Sequence, residues 1–490
     1  MLRIFNTLSK SKEEFVPRKE HEALMYVCGP TTYNYIHLGN ARPMVVFDTV
    51  RRYLEYSGYK VTLVQNFTDV DDKIINKAHQ EGIEPFKLAE KYIEEYFTDA
   101  HSLNVEDANI QPKVTENMAE IIEMVDTLVK KGHAYESAGS VYFDVESFDG
   151  YGKLSGRSLE DMKAGARVEV DTSKKHPLDF ALWKASKEGE PAWSSPWGMG
   201  RPGWHIECSA MSVKYLGSGF DIHGGGQDLI FPHHENEIAQ AEASTSEDPF
   251  VKYWMHNGFI TVNEEKMSKS LGNFFLVRDI LDKFPGDVVR FYLLSTHYRS
   301  PLDFDDAKLT ATAKGLERIK ATISSLDEAL VSLKGTGTTE GKETPEGVAL
   351  SAAIVAAYRE FNAAMDDDFN TALAIAALFD FSKAVNSYRN ACVHGVCQPD
   401  AAVLKEAHKV FSSLAGDVLG VLFETAGASG EEEDAQVVEQ LMQLLLEIRE
   451  DARGKKNWAT SDLIRDRLGE IGIELQDTPK GPKWNIHLSK

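Results

Sequence analysis

An α/β fold built on a doubly wound parallel sheet, cut by an insertion and followed by an all-α arm, is what this 490-residue sequence predicts. Three observations lead there. Strand-like and helix-like patterns alternate through the first 110 residues and again from Gly203 to Arg299, and strand–helix–strand order of this kind builds a parallel sheet of Rossmann type. Between them, from about Pro112 to Trp197, the sequence is mixed and rich in turns, as an inserted domain would be. From Ala307 onward strand signals vanish and long helical periodicity replaces them.

The elements follow in order. Ala23–Cys28 is an apolar strand that ends at Gly29-Pro30. Pro43–Tyr56 has helical spacing and stops at Gly58. Lys60–Phe67 is a second, β-branched strand, followed by the acidic turn Asp69-Val70-Asp71-Asp72 and another helix. Gly258–Val262 is strand-like. In the helical part, Lys334–Gly347 and Thr425–Gln436 are low in hydrophobicity and read as linkers. The expected domains are residues 1–111 and 201–306 for the two sheet halves and 112–200 for the insertion. The helical arm takes 307–425 and a small C-terminal module 437–490.

Composition narrows the class. At 42% hydrophobic and 26% charged residues, the chain is neither collagen-like nor wholly disordered. No run approaches the roughly 18 apolar residues of a membrane span, so no membrane partner is expected. Met1–Phe15 is charged and interrupted, unlike a secretory leader. Four cysteines are too few for a disulfide framework, which points to a cytoplasmic setting. The net charge of −23 argues against promiscuous nucleic-acid binding. Residues 441–490, however, hold nine Lys/Arg against eight Asp/Glu. An RNA partner is therefore admissible where shape and local cations agree.

Two loops have the makings of phosphate handling. Gly29–Asn40 follows a strand and precedes a helix, the place where parallel sheets collect ligands and helix N-termini meet anions. His37 and Asn40, three apart, share one side of a first helical turn, and Gly39 permits close approach. Taken alone, the loop also reads as a plain strand-to-helix connection capped by Asn40. Lys266-Met267-Ser268-Lys269-Ser270 sets two lysines in a Gly-flanked loop, mobile point charges suited to a triphosphate. A lone Lys-x-x-Lys is otherwise a solvated basic loop.

A third constellation suits a metal. Cys28 ends the first strand, Cys208 lies in Gly203–Met211, and Asp221–Glu237 carries several histidines. His233 and Glu237, four apart, can face one point. Two thiolates, an imidazole and a carboxylate make a zinc set. Spacing does not choose His233 over His234, His223 or His205, and two buried cysteines beside a polar helix is the plainer reading. Cys392 and Cys397 flank His394 without a second pair and read as ordinary thiols.

His37-Leu38-Gly39-Asn40 resembles the HIGH motif, and Lys266–Ser270 spells KMSKS in full. In this order around a split sheet they resemble the class I aminoacyl-tRNA synthetases. The Cys208 segment and His233-His234-Glu235-Asn236-Glu237 resemble the cysteinyl-tRNA synthetases in particular, and the similarity runs from about Phe5 to Trp484.

That resemblance implies a good deal. One Zn²⁺ per subunit would sit on Cys28, Cys208, His233 and Glu237, with the substrate thiol as a further ligand. His37, Asn40, Lys266 and Lys269 would stabilise charge on the phosphates of ATP and its Mg²⁺. Pro30, Thr31, Gly39 and Gly225 would join Lys269 around the nucleotide. Thr68, Trp204, His205, His223 and Asp228 would contact L-cysteine, Asp228 through the ammonium. The partners would be cysteine tRNA, L-cysteine and ATP, bound by a monomer. Met365–Leu373 would open a helix of the anticodon-binding domain. Arg and Lys near Trp458 and Trp484 would give the C-terminal module phosphate contacts and base stacking. Asn40 departs from the second histidine of HIGH: it can donate a hydrogen bond but cannot become cationic. Two rivals stand beside this reading: a cysteine-activating ligase acting on an amino sugar, and a non-catalytic zinc-bearing tRNA-binding protein. The long helical arm argues against the first and the intact KMSKS lysines against the second.

Overall fold

Four parallel strands form the sheet that the alternation predicts, in the order Val251–Asn257, Phe220–Gly226, Glu22–Val27, Lys60–Gln65. They belong to a computed structural model that describes residues 1–160, 173–262, 265–266, 274–333, 344–423, 430–455, 457–470, 473–478 and 481–486. The strands are apolar on both faces, as a sheet covered on both sides requires. Met25, Tyr26, Val64, Ile222 and Trp254 are all buried. Strands Glu22–Val27 and Phe220–Gly226 lie side by side although the whole insertion separates them in sequence. From this pair the connections run outward in opposite directions, so the crevice beyond their carboxyl ends is the switch point where doubly wound sheets bind ligands.

The insertion contains its own antiparallel five-stranded sheet, ordered Ala134–Ser137, Ser140–Phe143, Phe180–Ala185, Gly198–Pro202, Trp193–Ser195. It is tied to the first sheet half through Asp72, which pairs with Lys184 at 2.7 Å and with Arg201.

After it come four long helices, Asp306–Ser332, Pro345–Asp366, Thr371–Val393 and Ala401–Phe411, as the loss of strand signals from Ala307 predicts. The expectation that Met365–Leu373 opens a helix needs refining. One helix ends at Asp366 and the next begins at Thr371, capped by the Asn370 side chain. The turn between them is held by Asp368, which is fully buried and has φ +69°. Its carboxylate accepts the Phe5 N–H (2.8 Å), the Tyr298 hydroxyl (2.8 Å) and the Arg299 Nε–H (2.7 Å). The acidic run is thus partly an anchor that seats the arm on the sheet domain, not only a helix start favoured by the dipole.

Met1–Thr425 forms one compact unit and Ala426–Lys490 another. The second contains helices Gly430–Gly454 and Trp458–Glu470 and an antiparallel hairpin, Ile473–Thr478 with Gly481–Ile486. The Thr425–Gln436 linker is shorter than predicted, because helix begins at Gly430. Glu431–Asp434, part of the stretch that reads as a linker, fall in the first turns of that helix, where the macrodipole favours acids.

Candidate active site

The chain leaves the first sheet strand through a constrained exit. A Cβ on Gly29 would stand 1.5 Å from the Asn66 carbonyl oxygen, so only glycine fits. Its N–H donates to Asn66 Oδ1 at 3.0 Å. The following loop leads into a helix that spans Leu38–Tyr56 and so begins five residues before the predicted Pro43. Two things extend it. His37 takes the N-cap position, and the Leu38 N–H is received by the Phe275 carbonyl (3.1 Å). Asn40 is therefore not the cap but the third helical residue, and its side-chain carbonyl accepts the His37 N–H at 3.2 Å. With that oxygen committed, the amide of Asn40 keeps its NH₂ donors for another partner.

The same contacts join the HIGH-like turn to the segment beginning at Phe274. Besides the Leu38–Phe275 bond, the Val277 N–H donates to the Ile36 carbonyl (3.1 Å). The Arg278 guanidinium lies 3.4 Å from the centre of the Tyr35 ring and pairs with Glu95 (2.9 Å) and Asp99 (3.1 Å). The segment that follows KMSKS is thus stitched to the HIGH-like turn. On the other side Lys266 pairs in a short antiparallel strand with Thr261. Met267–Ser270, and with them Lys269, lie outside the described residues.

A cavity of about 260 Å³ opens at the switch point. Cys28, Pro30, Thr31, His37, Gly39, Asn40, Trp204, Gly225 and Asp228 all line it, so the structure assembles most of the sequence-predicted residues in one place. His205 lines an adjoining cavity with Lys73 and Lys184. Trp204 is 38% exposed at the first turn of its helix, with its ring centre 4.2 Å from that of His233 and tilted 35° to it. Thr68 and His223 are placed differently. Thr68 is buried behind the cavity wall and donates its hydroxyl to Glu207 at 2.7 Å. His223 is fully buried, stacked on Trp254, with Nε2 2.8 Å from Glu237. Gly224 makes room for Phe47, whose ring would come within 2.3 Å of a Cβ there.

Sequence reasoning missed Tyr33, Gln65, Lys73 and Tyr96 as lining residues. Gln65 ends the second sheet strand and Lys73 sits in the first turn of the helix after it. Position at the carboxyl end of a parallel strand was the signal available for both.

Behind the cavity lies the metal-like cluster. Ligand atoms of Cys28, Cys208, His233 and Glu237 all fall within 4.8 Å of one another. Cys28, His223, His234 and Glu237 form a second such group, sharing two members with the first. Cys28 and Cys208 sulfurs are 3.6 Å apart, and His233 Nε2 is 3.1 Å from Glu237 Oε1. The two adjacent histidines are oriented alike. His233 turns Nδ1 to His205 (2.8 Å), which leaves Nε2 for the cluster, and His234 turns Nδ1 to His256 (2.8 Å), which leaves Nε2 3.3 Å from the Cys28 sulfur. His223 Nε2 lies against Glu237 Oε2, and only the His233 group takes in Cys208. Orienting partners of this kind are what metal-binding imidazoles use.

The electrostatics favour a cation. A hydrogen bond from Cys28 lowers the Cys208 thiol to about 6, against the cost of its burial. Burial also works against ionising Glu237, yet His223 and His233 hold it well below the usual range. His233 is desolvated too, but Glu237 and Cys208 draw a proton onto it and raise it to about 10. Burial, with Cys208 and Glu237 beside it, pushes the Cys28 thiol well up, so the negative charge gathers on Cys208 and Glu237, where a divalent ion can take the place of protons. Such a donor set fits Zn²⁺.

Residues 14–314 match the family described as tRNA synthetases class I (C) catalytic domain, and residues 360–424 match the DALR domain. The chain is 59% identical to the cysteine–tRNA ligase of Heliobacterium modesticaldum and 60% identical to that of Pelotomaculum thermopropionicum, each alignment covering 99% of both chains. Among solved structures, it resembles the Mycobacterium tuberculosis methionyl-tRNA synthetase in complex with methionyl-adenylate, with a TM-score of 0.59, 16% identity and coverage of 81% of this chain and 89% of that one. A leucyl-tRNA synthetase of Agrobacterium radiobacter gives a TM-score of 0.58 at 13% identity, covering 85% of this chain and 86% of the other. At such low identity these two structures speak to the fold.

Proposed function

Since the chain belongs to the cysteine–tRNA ligases of the class I aminoacyl-tRNA synthetases, we propose that the switch-point cavity activates L-cysteine and that Cys28, Cys208, His233 and Glu237 hold a zinc ion behind it. ATP and cysteine tRNA are the co-substrates of this family's reaction. The observation that carries the residue-level reading is the meeting of those four side chains at the back wall of a cavity whose front is the HIGH-like turn.

A bound zinc would supply a soft Lewis acid for the substrate thiolate, which serine's harder hydroxyl matches poorly. That selection matters because an apolar pocket discriminates near-isosteres by only about 10–200-fold.

The chain's own residues do the rest by placement. Asp228, on the cavity wall, pairs with the cysteine ammonium and leaves the carboxylate turned toward ATP. A carboxylate oxygen attacks the α-phosphorus; the bond from that phosphorus to the bridging oxygen breaks, and pyrophosphate leaves. His37 and the Asn40 amide donate to the phosphate oxygens, aided by the N-terminus of the Leu38–Tyr56 helix. Lys266 and Lys269 add positive charge from the KMSKS motif, and Mg²⁺ accompanies the nucleotide. A ribose hydroxyl at the tRNA 3′ end then attacks the acyl carbon and AMP leaves. No protein nucleophile is needed, so catalysis is positioning and electrostatics.

Cysteine-dependent exchange of pyrophosphate into ATP by the zinc-loaded protein tests this. Exchange that tracks bound zinc is expected; exchange at full rate after zinc is stripped would remove the metal from the reading. On the same reading the chain works in the cytosol as a monomer. Light scattering should then return a mass near 54.6 kDa.

A further inference from the structure

The chain's four cysteines fall into two pairs, and the cavity uses only one of them. Cys392 and Cys397 lie at the end of the Thr371–Val393 helix with their sulfurs 3.1 Å apart, in direct contact. The backbone brings them there. Beyond the helix Gly395 adopts φ +72°, a left-handed conformation that glycine accepts without penalty. The Val396 N–H returns to the Ala391 carbonyl (2.9 Å) and the Gly395 N–H to that of Cys392 (3.1 Å). This helix-ending turn folds the chain back over the last helical turn. From the other side Tyr388 accepts the Asp400 N–H (2.9 Å) and donates to the Gln398 carbonyl (3.4 Å). Cys397 is pinned between these two sets of bonds. It is 5% exposed, whereas Cys392 is only half-buried. Cys392 is thus a partly exposed residue, and its neighbour is shielded beside it.

We propose that Cys392 and Cys397 form a thiol–disulfide exchange site for small-molecule disulfides, cystine foremost. The choice of cystine rests on the proposed function, because cystine is the oxidised form of the amino acid this family consumes; the exchange chemistry does not. The Cys392 thiolate attacks one sulfur of cystine, forming a Cys392–cysteine disulfide and releasing one cysteine thiolate. The Cys397 thiolate then attacks the Cys392 sulfur, forming the internal disulfide and releasing the second cysteine. Two protein thiols are oxidised, one cystine is reduced to two cysteines, and the leaving thiolates take up the two protons. Sulfur contact makes the second step intramolecular, so the mixed disulfide should not accumulate.

The tempo follows from the surroundings of Cys392. Burial and then the adjoining Cys397 raise its thiol to about 12, with Tyr388 and Arg389 facing it and pulling the other way. Little thiolate is present near neutrality, so exchange should quicken as pH rises.

The test uses the full, zinc-loaded chain incubated with L-cystine under neutral and mildly alkaline conditions, followed by intact mass and peptide mapping. The expected result is loss of two hydrogens, reversed by a dithiol, with the new bond joining Cys392 to Cys397. Cys397→Ser should instead retain one half-cystine on Cys392, and Cys392→Ser should leave position 397 unmodified. Three results would overturn the proposal: a stable half-cystine adduct on the unaltered chain, no reaction at either sulfur, or modification confined to Cys28 and Cys208. Cysteine-dependent pyrophosphate exchange on the same sample reports separately on the proposed function.

Discussion

On the proposed function, Cys208 and Asp228 would divide the recognition of cysteine between its two ends, one behind the cavity and one on its wall. Cys208→Ser exchanges a soft ligand for a hard one with almost no change in volume. It should lower bound zinc and cysteine activation together, kcat/KM for cysteine falling on the order of 100-fold or more, given that even outer-shell changes cost about 10–100-fold. Metal analysis beside the exchange assay checks this, and unchanged cysteine affinity would refute metal readout. Asp228→Asn keeps shape and removes charge. A charge-assisted bond contributes about 1.5–3 kcal/mol, so KM for cysteine should rise roughly 10–100-fold with KM for ATP little changed. The donor types were legible in the sequence, but the choice among histidines was not. His233 and His234 are adjacent and both buried, each turns Nδ1 to another histidine, His205 or His256, and what sets them apart is that only the His233 group takes in Cys208. Those partners come from other segments, where no spacing rule reaches. Thr68 shows the same limit in reverse: its hydroxyl is committed to Glu207, a contact that lies wholly in tertiary structure.

Elements add a second layer, because the HIGH-like turn is held by a segment more than 200 residues later in the chain. The motif itself was plain to read, whereas the start of its helix was not. Pro43 marks a familiar helix start, but the Phe275 carbonyl and the His37 cap carry the helix back to Leu38. Asn40→Ala removes both the brace on His37 and an amide donor. The lost hydrogen bond should cost about 1 kcal/mol of local stability and adenylate formation should slow, and Asn40→His should recover the rate, since imidazole can donate to phosphate as well. A variant with histidine that is as slow as the alanine one would show that asparagine is specifically required. Arg278→Ala tests the other root of the KMSKS loop. The cation–π contact with Tyr35 contributes about 0.5–2 kcal/mol, so single-turnover adenylate formation should slow roughly 2–30-fold. Zinc content should stay constant. A rate equal to that of the unaltered enzyme would mean that the Tyr35 contact does not position the loop.

At the scale of the molecule, the sequence disclosed the kinds of layer but not their order. Nothing local says that Glu22–Val27 pairs with Phe220–Gly226 across the whole insertion. Nor does anything local say that an acidic turn in the helical arm ends buried against Tyr298, Arg299 and the backbone of Phe5. The last compact unit begins at Ala426, inside the Thr425–Gln436 stretch, and its first helix begins at Gly430. That unit also bears on the net charge of −23, since residues 441–490 are nearly neutral while the rest of the chain is strongly acidic. Phosphate binding depends on local cations and weakens with salt, so on the proposed function the near-neutral module with its exposed Trp458 would be where an otherwise acidic protein meets RNA. Met1–Thr425 is compact by itself and contains the whole cavity and cysteine cluster. Removing residues 426–490 should therefore leave cysteine-dependent pyrophosphate exchange within about 2-fold of the full chain, a change of under 1 kcal/mol in barrier. The same truncation should lower kcat/KM for tRNA charging, mainly through KM, and flatten its dependence on salt. Charging at full efficiency with an unaltered salt slope would show that the C-terminal unit does not touch the tRNA.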